Sequence, residues 1–187
     1  MRLASKTALY LVLASAAAKQ DPRALAVGAS IEGRAHLAAA AVEDGQHALA
    51  YPAQRIWRVD DELAIATVGV AADARAVARA AKVLCLEHRA TYSTPLPPAR
   101  LAAALGARFA AAAAGDRSLG VDVVVAGAGA VATVSAGGRV RTGRAAVAGG
   151  AETPARRRGD DALVASIEAG AAPADVCATA LAAADLS

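Results

Sequence analysis

Residues 55–75 read RIWRVDDELAIATVGVAADAR, and the hydrophobic period of this stretch changes half way along. Polar and apolar residues alternate from Arg55 to Asp60, which is typical of a strand with one exposed face. Asp61-Glu62 is a turn signal, and residues 63–68 continue as a more buried strand. From Ala71 to about Ala90 the apolar residues recur at steps of three and four. This stretch therefore predicts a β-hairpin that leads directly into a long amphipathic helix.

The sequence beyond this helix predicts a second helix and three short strands. Pro95, Pro97 and Pro98 interrupt the helical pattern, which resumes from Ala99 to Ala114 with apolar residues at i, i+4 and i+8. Valine-rich or alternating runs then follow, separated by glycine-containing turns, and each predicts a strand. These runs are Leu119–Ala126, Val131–Ser135 and Arg139–Thr142.

Upstream, Ala24–Ile31 and His36–Val42 flank the turn signal Glu32-Gly33-Arg34 and predict another hairpin. The tail has helical composition from Asp160 to about Ala169 and from Pro173 to about Ala184. Because the strands come as hairpins rather than alternating with helices, the pattern favours antiparallel sheets with helices outside them. We expect an α+β fold, a four-layer α/β/β/α sandwich formed by one domain over residues 1–187.

Composition limits the classes of function. The net charge is +3, and most of the arginines are scattered singly, so nucleic-acid binding is not indicated. Arg156–Arg158 is the one dense basic run, and a solvated loop explains it better than a phosphate or partner contact. Hydrophobic residues make up 56% of the chain but aromatic residues only 3%, which predicts a core of small side chains whose burial neighbouring subunits complete.

Neither the cysteines nor the histidines have the spacing of a metal site. Cys85 and Cys177 lie in separate helical patterns and are interpreted as apolar packing residues in a reducing compartment. We expect no metal, no cofactor, no small-molecule ligand and no membrane association.

The amino-terminal segment allows two interpretations. Arg2 and Lys6 precede the apolar residues 7–18, and small residues such as Ala14-Ser15-Ala16 fit the cleavage rule of a secretory signal. The same segment is consistent with a truncated amino-terminal helix over residues 1–20 that ends at Lys19-Gln20. The helix is the preferred interpretation, and cleavage within residues 1–18 stays open.

Three short motifs suggest chemistry that their context does not support. Gly127-x-Gly129-x-x-Ala132 matches a dinucleotide-binding pattern, but an extended run follows it instead of a helix, so a hairpin turn is predicted. Ser30 lies between two strands rather than before a helix, which argues against a hydrolase nucleophile. Asp60-Asp61-Glu62 is interpreted as a solvated turn rather than an acid–base group.

Several stretches resemble the proteasome alpha subunit family, most closely its alpha type-1 members. Residues 55–63 are similar to the family's Lys-Ile-Phe-Lys-Val-Asp-Asp-His-Ile, and residues 69–75 to Gly-Leu-x-Ala-Asp-Ala-Arg. Residues 95–101, Pro-Leu-Pro-Pro-Ala-Arg-Leu, resemble the type-1 Pro-Leu-Pro-Val-x-Arg-Leu. Residues 119–127 resemble Tyr-Gly-Val and Leu-Ile-Ala-Gly, and residues 16–20 resemble the end of the alpha amino-terminal helix.

This resemblance implies a sandwich of two antiparallel sheets between helical layers, assembled in seven-membered rings with other alpha and beta subunits. It further implies a role in ubiquitin-dependent protein degradation in the cytoplasm and nucleus. The family's catalytic members use an amino-terminal threonine, exposed by cleavage after glycine, with a lysine and an aspartate nearby.

The corresponding positions in this chain carry none of these catalytic residue types. The expected places of the threonine, the aspartate and the lysine fall near Ala24, Ala40 and Arg55. No glycine in the chain is followed by threonine, serine or cysteine, and an arginine cannot be tuned as a lysine can. We therefore expect no catalytic residue and a structural subunit rather than an enzyme.

Two alternatives remain open from the sequence. One is an active amino-terminal-nucleophile hydrolase, and the other is a diverged paralogue that does not assemble. Within the alpha interpretation, ring gating is not expected, because the amino-terminal region has only Tyr10 in place of a Tyr-Asp-Arg motif. In alpha rings a lysine binds the terminal carboxylate of activators. The corresponding position in this chain falls among Ala41, Val42 and Glu43, none of which can replace that lysine.

Overall fold

The computed structural model describes residues 9–12, 24–31, 33–41, 54–115, 117–149, 161–162, 164–166 and 169. Nine strands and two long helices occur in this part of the chain. In chain order they are β1 (Leu9–Val12), β2 (Ala24–Ile31), β3 (Arg34–Ala41), β4 (Ile56–Asp60), β5 (Leu63–Gly69), α1 (Ala71–Tyr92), α2 (Pro98–Ala114), β6 (Val121–Gly127), β7 (Ala130–Val134), β8 (Val140–Gly143) and β9 (Ala145–Ala148).

The strands form two sheets that stack face to face. The first sheet has the order β1-β3-β2-β9, and the second has the order β4-β5-β6-β7-β8. Every neighbouring pair is antiparallel except β1 and β3, which are parallel. Both α1 and α2 pack on the second sheet. The expected α+β sandwich is confirmed, with antiparallel hairpins at the predicted positions and helices layered outside them.

The helices are buried on one side as their sequence patterns predict. On α1, the buried positions include Ala74, Val77, Ala81 and Cys85, which recur at steps of three and four. Pro98 lies at the first turn of α2, where its fixed φ suits a helix and its missing N–H costs no hydrogen bond. Both helices therefore dock through an apolar stripe on the sheet beneath them.

Two parts of the sequence-based interpretation need correction. The helix expected through residues 1–20 is wrong for Leu9–Val12, which form β1 and pair with residues 36–39. Leucine, tyrosine and valine suit an extended strand, and the outer edge of β3 offers unpaired backbone groups to it. The structure also contains β9, which the sequence did not predict, because four alanine and valine residues carry no alternating pattern.

The tail is described only in part. Residues 161–162 and 164–166 are helical, within the helix predicted from Asp160 to Ala169. The helix predicted from Pro173 to Ala184, Cys177, the Arg156–Arg158 run and residues 13–20 lie outside the described residues. No helix in the described part is both long enough and apolar enough to span a membrane.

Candidate functional site: one end of the sandwich and the outer helical face

The two ends of the sandwich can be told apart by the contacts between its sheets. At one end, the Ser30 hydroxyl donates a hydrogen bond to the Gly129 carbonyl, and the Ser30 N–H donates to the Arg144 carbonyl at 2.6 Å. These bonds tie the end of β2 to the turn between β6 and β7 and to the link between β8 and β9. We call this the closed end of the sandwich.

The closed end accounts for two of the motifs singled out in the sequence. The Gly127–Gly129 pattern is a two-residue hairpin turn between β6 and β7, as predicted. Ser30 is 6% exposed and uses its hydroxyl to join the two sheets. Both motifs therefore have a structural role, because each forms contacts that hold the strands and sheets together.

The positions that resemble a catalytic centre lie at the opposite end. Ala24 opens β2, and the register places Ala40 of β3 beside Leu25, one residue from Ala24. Arg55 directly precedes β4, and its carbonyl accepts bonds from the Thr67 N–H at 2.8 Å and the Thr67 hydroxyl at 3.1 Å. Thr67 lies near the end of β5 that is remote from the closed end. The three positions therefore share one end of the sandwich.

Thr67 holds Arg55, the residue before β4, against β5. Its side chain is buried, and it also accepts a bond from the indole N–H of Trp57 at 3.2 Å. Both contacts occupy the Thr67 hydroxyl, so this threonine is a structural link between β5 and the start of β4. No local pattern in the sequence indicates this role of Thr67, so it was not predicted.

The residues at these three positions differ from the threonine, aspartate and lysine that the resemblance associates with them. Alanine has no nucleophilic atom, and the chain has no threonine between Thr7 and Thr67 and no lysine between Lys19 and Lys82. The guanidinium of Arg55 stays protonated and cannot accept a proton from a nucleophile. Ala24, Ala40 and Arg55 therefore supply neither a nucleophilic side chain nor a tunable base.

The start of α1 is held by a buried carboxylate. Asp73 is 4% exposed and accepts hydrogen bonds from the Gly120 N–H at 3.0 Å and from the Arg117 guanidinium at 2.8 and 2.9 Å. The Gly120 bond, followed by Arg117, holds the pKa of Asp73 below its usual value, against the opposing effect of burial. We call Asp73, Arg117 and Gly120 the α1 clamp.

Glycine at position 69 is required by the same junction. Gly69 has a φ of +127°, and a Cβ there would lie 2.2 Å from the Gly120 carbonyl oxygen. The Val70 N–H donates to that carbonyl at 2.9 Å. The Gly69–Arg75 stretch thus begins α1 at a fixed position on the second sheet. The residues that hold it there, Arg117 and Gly120, lie more than forty residues away in the sequence.

The acidic turn between β4 and β5 is only partly the solvated turn predicted from the sequence. The side chains of Asp61 and Asp60 are 70% and 12% exposed, and both accept bonds from Arg89 near the end of α1. These contacts, led by the bond to Asp60, raise the pKa of Arg89. Asp60 was expected in solvent, but it joins the hairpin to the helix.

The outward faces of α1 and α2 are exposed along their length in the described structure. On α1, Leu86 is 66% exposed, Val83 50% and Tyr92 60%. The outward face of α2 consists mostly of alanines, including Ala103, Ala107 and Ala110. Small side chains on such a face allow another element to approach closely, as expected of a contact surface.

No group of three or more His, Cys, Asp or Glu side chains capable of holding a metal ion occurs among the described residues. Cys85 is a free, buried thiol whose pKa is raised to about 11 by burial and by the nearby charge of Asp60. His36 is also buried, and burial followed by the charge of Arg34 lowers its pKa.

Two stacked sheets, antiparallel except for one edge strand, with helices outside them define the α+β sandwich of the amino-terminal-nucleophile hydrolases. The proteasome subunit family model matches residues 24–163, from the start of β2 into the helical tail. This match covers well over half of the chain, and the protein therefore belongs to the proteasome subunit family. Membership implies that it assembles with other proteasome subunits.

Proposed function

We propose that this chain is a non-catalytic, alpha-type structural subunit of the 20S proteasome core. The observation that carries the proposal is the residue types at Ala24, Ala40 and Arg55, which share one end of the sandwich and supply neither a nucleophilic side chain nor a tunable base. A subunit without these groups contributes by supporting the assembly in which other members perform proteolysis. The family contains both catalytic and non-catalytic members, and the residue types at this end favour the second kind.

The type-1 assignment within the alpha subunits rests on residues 95–101, which resemble the type-1 pattern. In the structure these residues connect the end of α1 to the first turn of α2, and Leu96 is 8% exposed. The resemblance implies a hetero-oligomeric seven-membered ring, a location in the cytoplasm and nucleus, and a contribution to ubiquitin-dependent protein catabolism. These finer points belong to the proposal.

The experiment that tests the proposal combines purification with active-site labelling. A tagged copy is isolated from its own cell, and the preparation is treated with a covalent probe that reacts with amino-terminal threonines. We expect co-migration with alpha and beta subunits in a particle of many hundreds of kilodaltons, with label on other subunits but none on this chain. Label on this chain would overturn the non-catalytic role, and recovery as a lone protein would overturn the assembly role.

A further inference from the structure

β8 is an edge strand of the second sheet, and one side of its backbone has no partner among the described residues. The Ser135 N–H donates to the Arg139 carbonyl at 3.0 Å, which makes these two residues a hydrogen-bonded pair beside the β7–β8 ladder. Such pairs alternate with non-bonded pairs along antiparallel strands, so Arg141 also bonds to β7. The N–H and C=O groups of Val140 and Thr142 therefore point to the open side of the sheet.

The two faces of β8 differ in chemistry. Val140 faces α2, because a Cβ added at Gly106 would lie 2.5 Å from Val140 Cγ2, and Val140 packs against the core under the helices. Since side chains alternate along a strand, Arg139 and Arg141 project from the opposite face. Both arginines are exposed, and neither forms an ion pair with another described residue. The open edge thus has an apolar face and a positively charged face.

We propose that the open edge of β8 binds an extended acidic segment of a partner protein, which adds to the second sheet as an antiparallel strand. Main-chain hydrogen bonds to Val140 and Thr142 hold the segment, and its alternate side chains provide specificity. Asp or Glu residues of the segment pair with Arg139 and Arg141, and the apolar residues between them extend the surface of Val140. This inference goes beyond the proposed function and does not depend on it.

Charge identifies the occupant of this edge. β7 and β8 contain no carboxylate, so Arg139 and Arg141 have no neutralising partner on these two strands. A second copy of β8 would bring identical arginines to the same edge, and like charges directly opposite each other on adjacent strands are destabilising. Charged residues on an edge discourage pairing with unsuitable strands, and complementary charge selects the suitable one. The edge therefore favours an acidic strand over a copy of itself.

Binding of a synthetic peptide to the purified full-length chain tests the charged face. The probe is fluorescein-labelled Glu-Val-Glu-Val-Glu-Val-Glu, and fluorescence polarisation measures its Kd. We expect R139E together with R141E to weaken binding about tenfold or more, because the new carboxylates oppose those of the peptide. The matched control is R75E together with R79E, two exposed arginines on α1, which packs on β4 and β5 at the opposite edge of the sheet. The control should bind as wild type does.

Two N-methylated forms of the same peptide test the backbone pairing. In an antiparallel ladder, two residues directly opposite each other exchange both hydrogen bonds and point to the same face. The valines of the peptide therefore bond to Val140 and Thr142, whereas the N–H groups of its glutamates point away from β8. N-methylation of the valines should abolish binding, and N-methylation of the glutamates should leave it near that of the unmodified peptide.

Amide hydrogen exchange of the wild-type chain gives a readout that needs no variant. In the free chain the N–H groups of Val140 and Thr142 should exchange faster than that of Arg141, and the unmodified peptide should slow the exchange of the first two. The inference would be overturned by absence of binding to the wild-type chain, by equal affinities of the two double variants, or by equal binding of the two methylated peptides. Unchanged exchange at Val140 and Thr142 in the presence of bound peptide would overturn it as well.

Discussion

Between the second sheet and the helices, the buried residues include Phe109, Leu101, Leu105 and Ile65, each fully enclosed. Between the two sheets, eight of the twelve residues in the buried cluster are alanines. The second sheet contributes side chains to both layers, one layer on each of its faces. The two layers therefore differ in the size of the side chains that fill them. Large side chains fill the space under the helices, whereas small ones let the two sheets approach closely.

Because of this difference, mutations that remove volume and mutations that add volume should affect the two layers in opposite ways. The layer under the helices should be damaged mainly by losing volume, because a cavity forfeits many contacts. The layer between the sheets should be damaged mainly by gaining volume, because little space remains for added atoms. The α1 clamp and Cys85 lie within or beside the helical layer and add a dependence on pH to it.

The largest effect is expected from Leu101→Ala in the layer under the helices. Leu101 is completely buried, so truncation should lower the free energy of unfolding by about 2–5 kcal/mol. Chemical denaturation of the isolated chain measures this. Leu86→Ala is the matched control, because Leu86 is 66% exposed and its loss should change stability by less than about 0.5 kcal/mol. Equal losses for the two variants would contradict the packing of α2 described above.

A smaller loss is expected from Gly28→Ala between the sheets. A Cβ at Gly28 would lie 2.7 Å from Val124 Cγ1 and 2.8 Å from Val131 Cγ1, so overpacking should cost about 1–3 kcal/mol. Adding Val124→Ala should recover part of this loss by making room, which a double-mutant cycle measures. At Gly137 an added Cβ meets nothing within 4 Å, and Gly137→Ala should be close to neutral. A neutral Gly28→Ala would remove the contrast between the two layers.

The α1 clamp should make the helical layer sensitive to acid. The pKa of Asp73 is lower in the folded state than its ordinary value of 3.8, so the ionised carboxylate stabilises the fold above that pH. This contribution should disappear as the pH falls through the folded-state pKa. Asp73→Asn should therefore lower stability at neutral pH and flatten the decline below pH 4, as followed by denaturation at a series of pH values. Asp61→Asn, on an exposed side chain, is the control.

The smallest effect is expected on the alkaline side. Because the pKa of the Cys85 thiol rises from 9.0 to about 11 on folding, the folded state keeps a proton that the unfolded chain releases. Stability should therefore decline as the pH rises from about 9 towards 11. Cys85→Ala should remove that part of the slope, although it also costs some packing. An unchanged slope would show that the thiol does not contribute to the pH dependence.

The strands and helices that could be predicted from the sequence are those with a complete local pattern. The hairpins at residues 24–41 and 55–69 and both long helices follow from alternation, turn residues and the three-to-four residue period. The prediction of a helix at β1 is wrong because four apolar residues in a row carry no alternation, and β9 was missed because its alanines and valine carry no periodic signal. Their extended state comes from pairing with β3 and β2.

The residue types at the positions of the family's catalytic groups can be read from the sequence alone. The sequence excluded a threonine, a lysine or a processing glycine where the resemblance requires them, since those are matters of composition and spacing. Which distant residues contact each other is visible only in the folded chain. Asp73 and Arg117, Asp60 and Arg89, and Ser30 and Gly129 form contacts across 29 to 99 residues of chain. Such contacts depend on how the sheets and helices pack, and no local pattern encodes them.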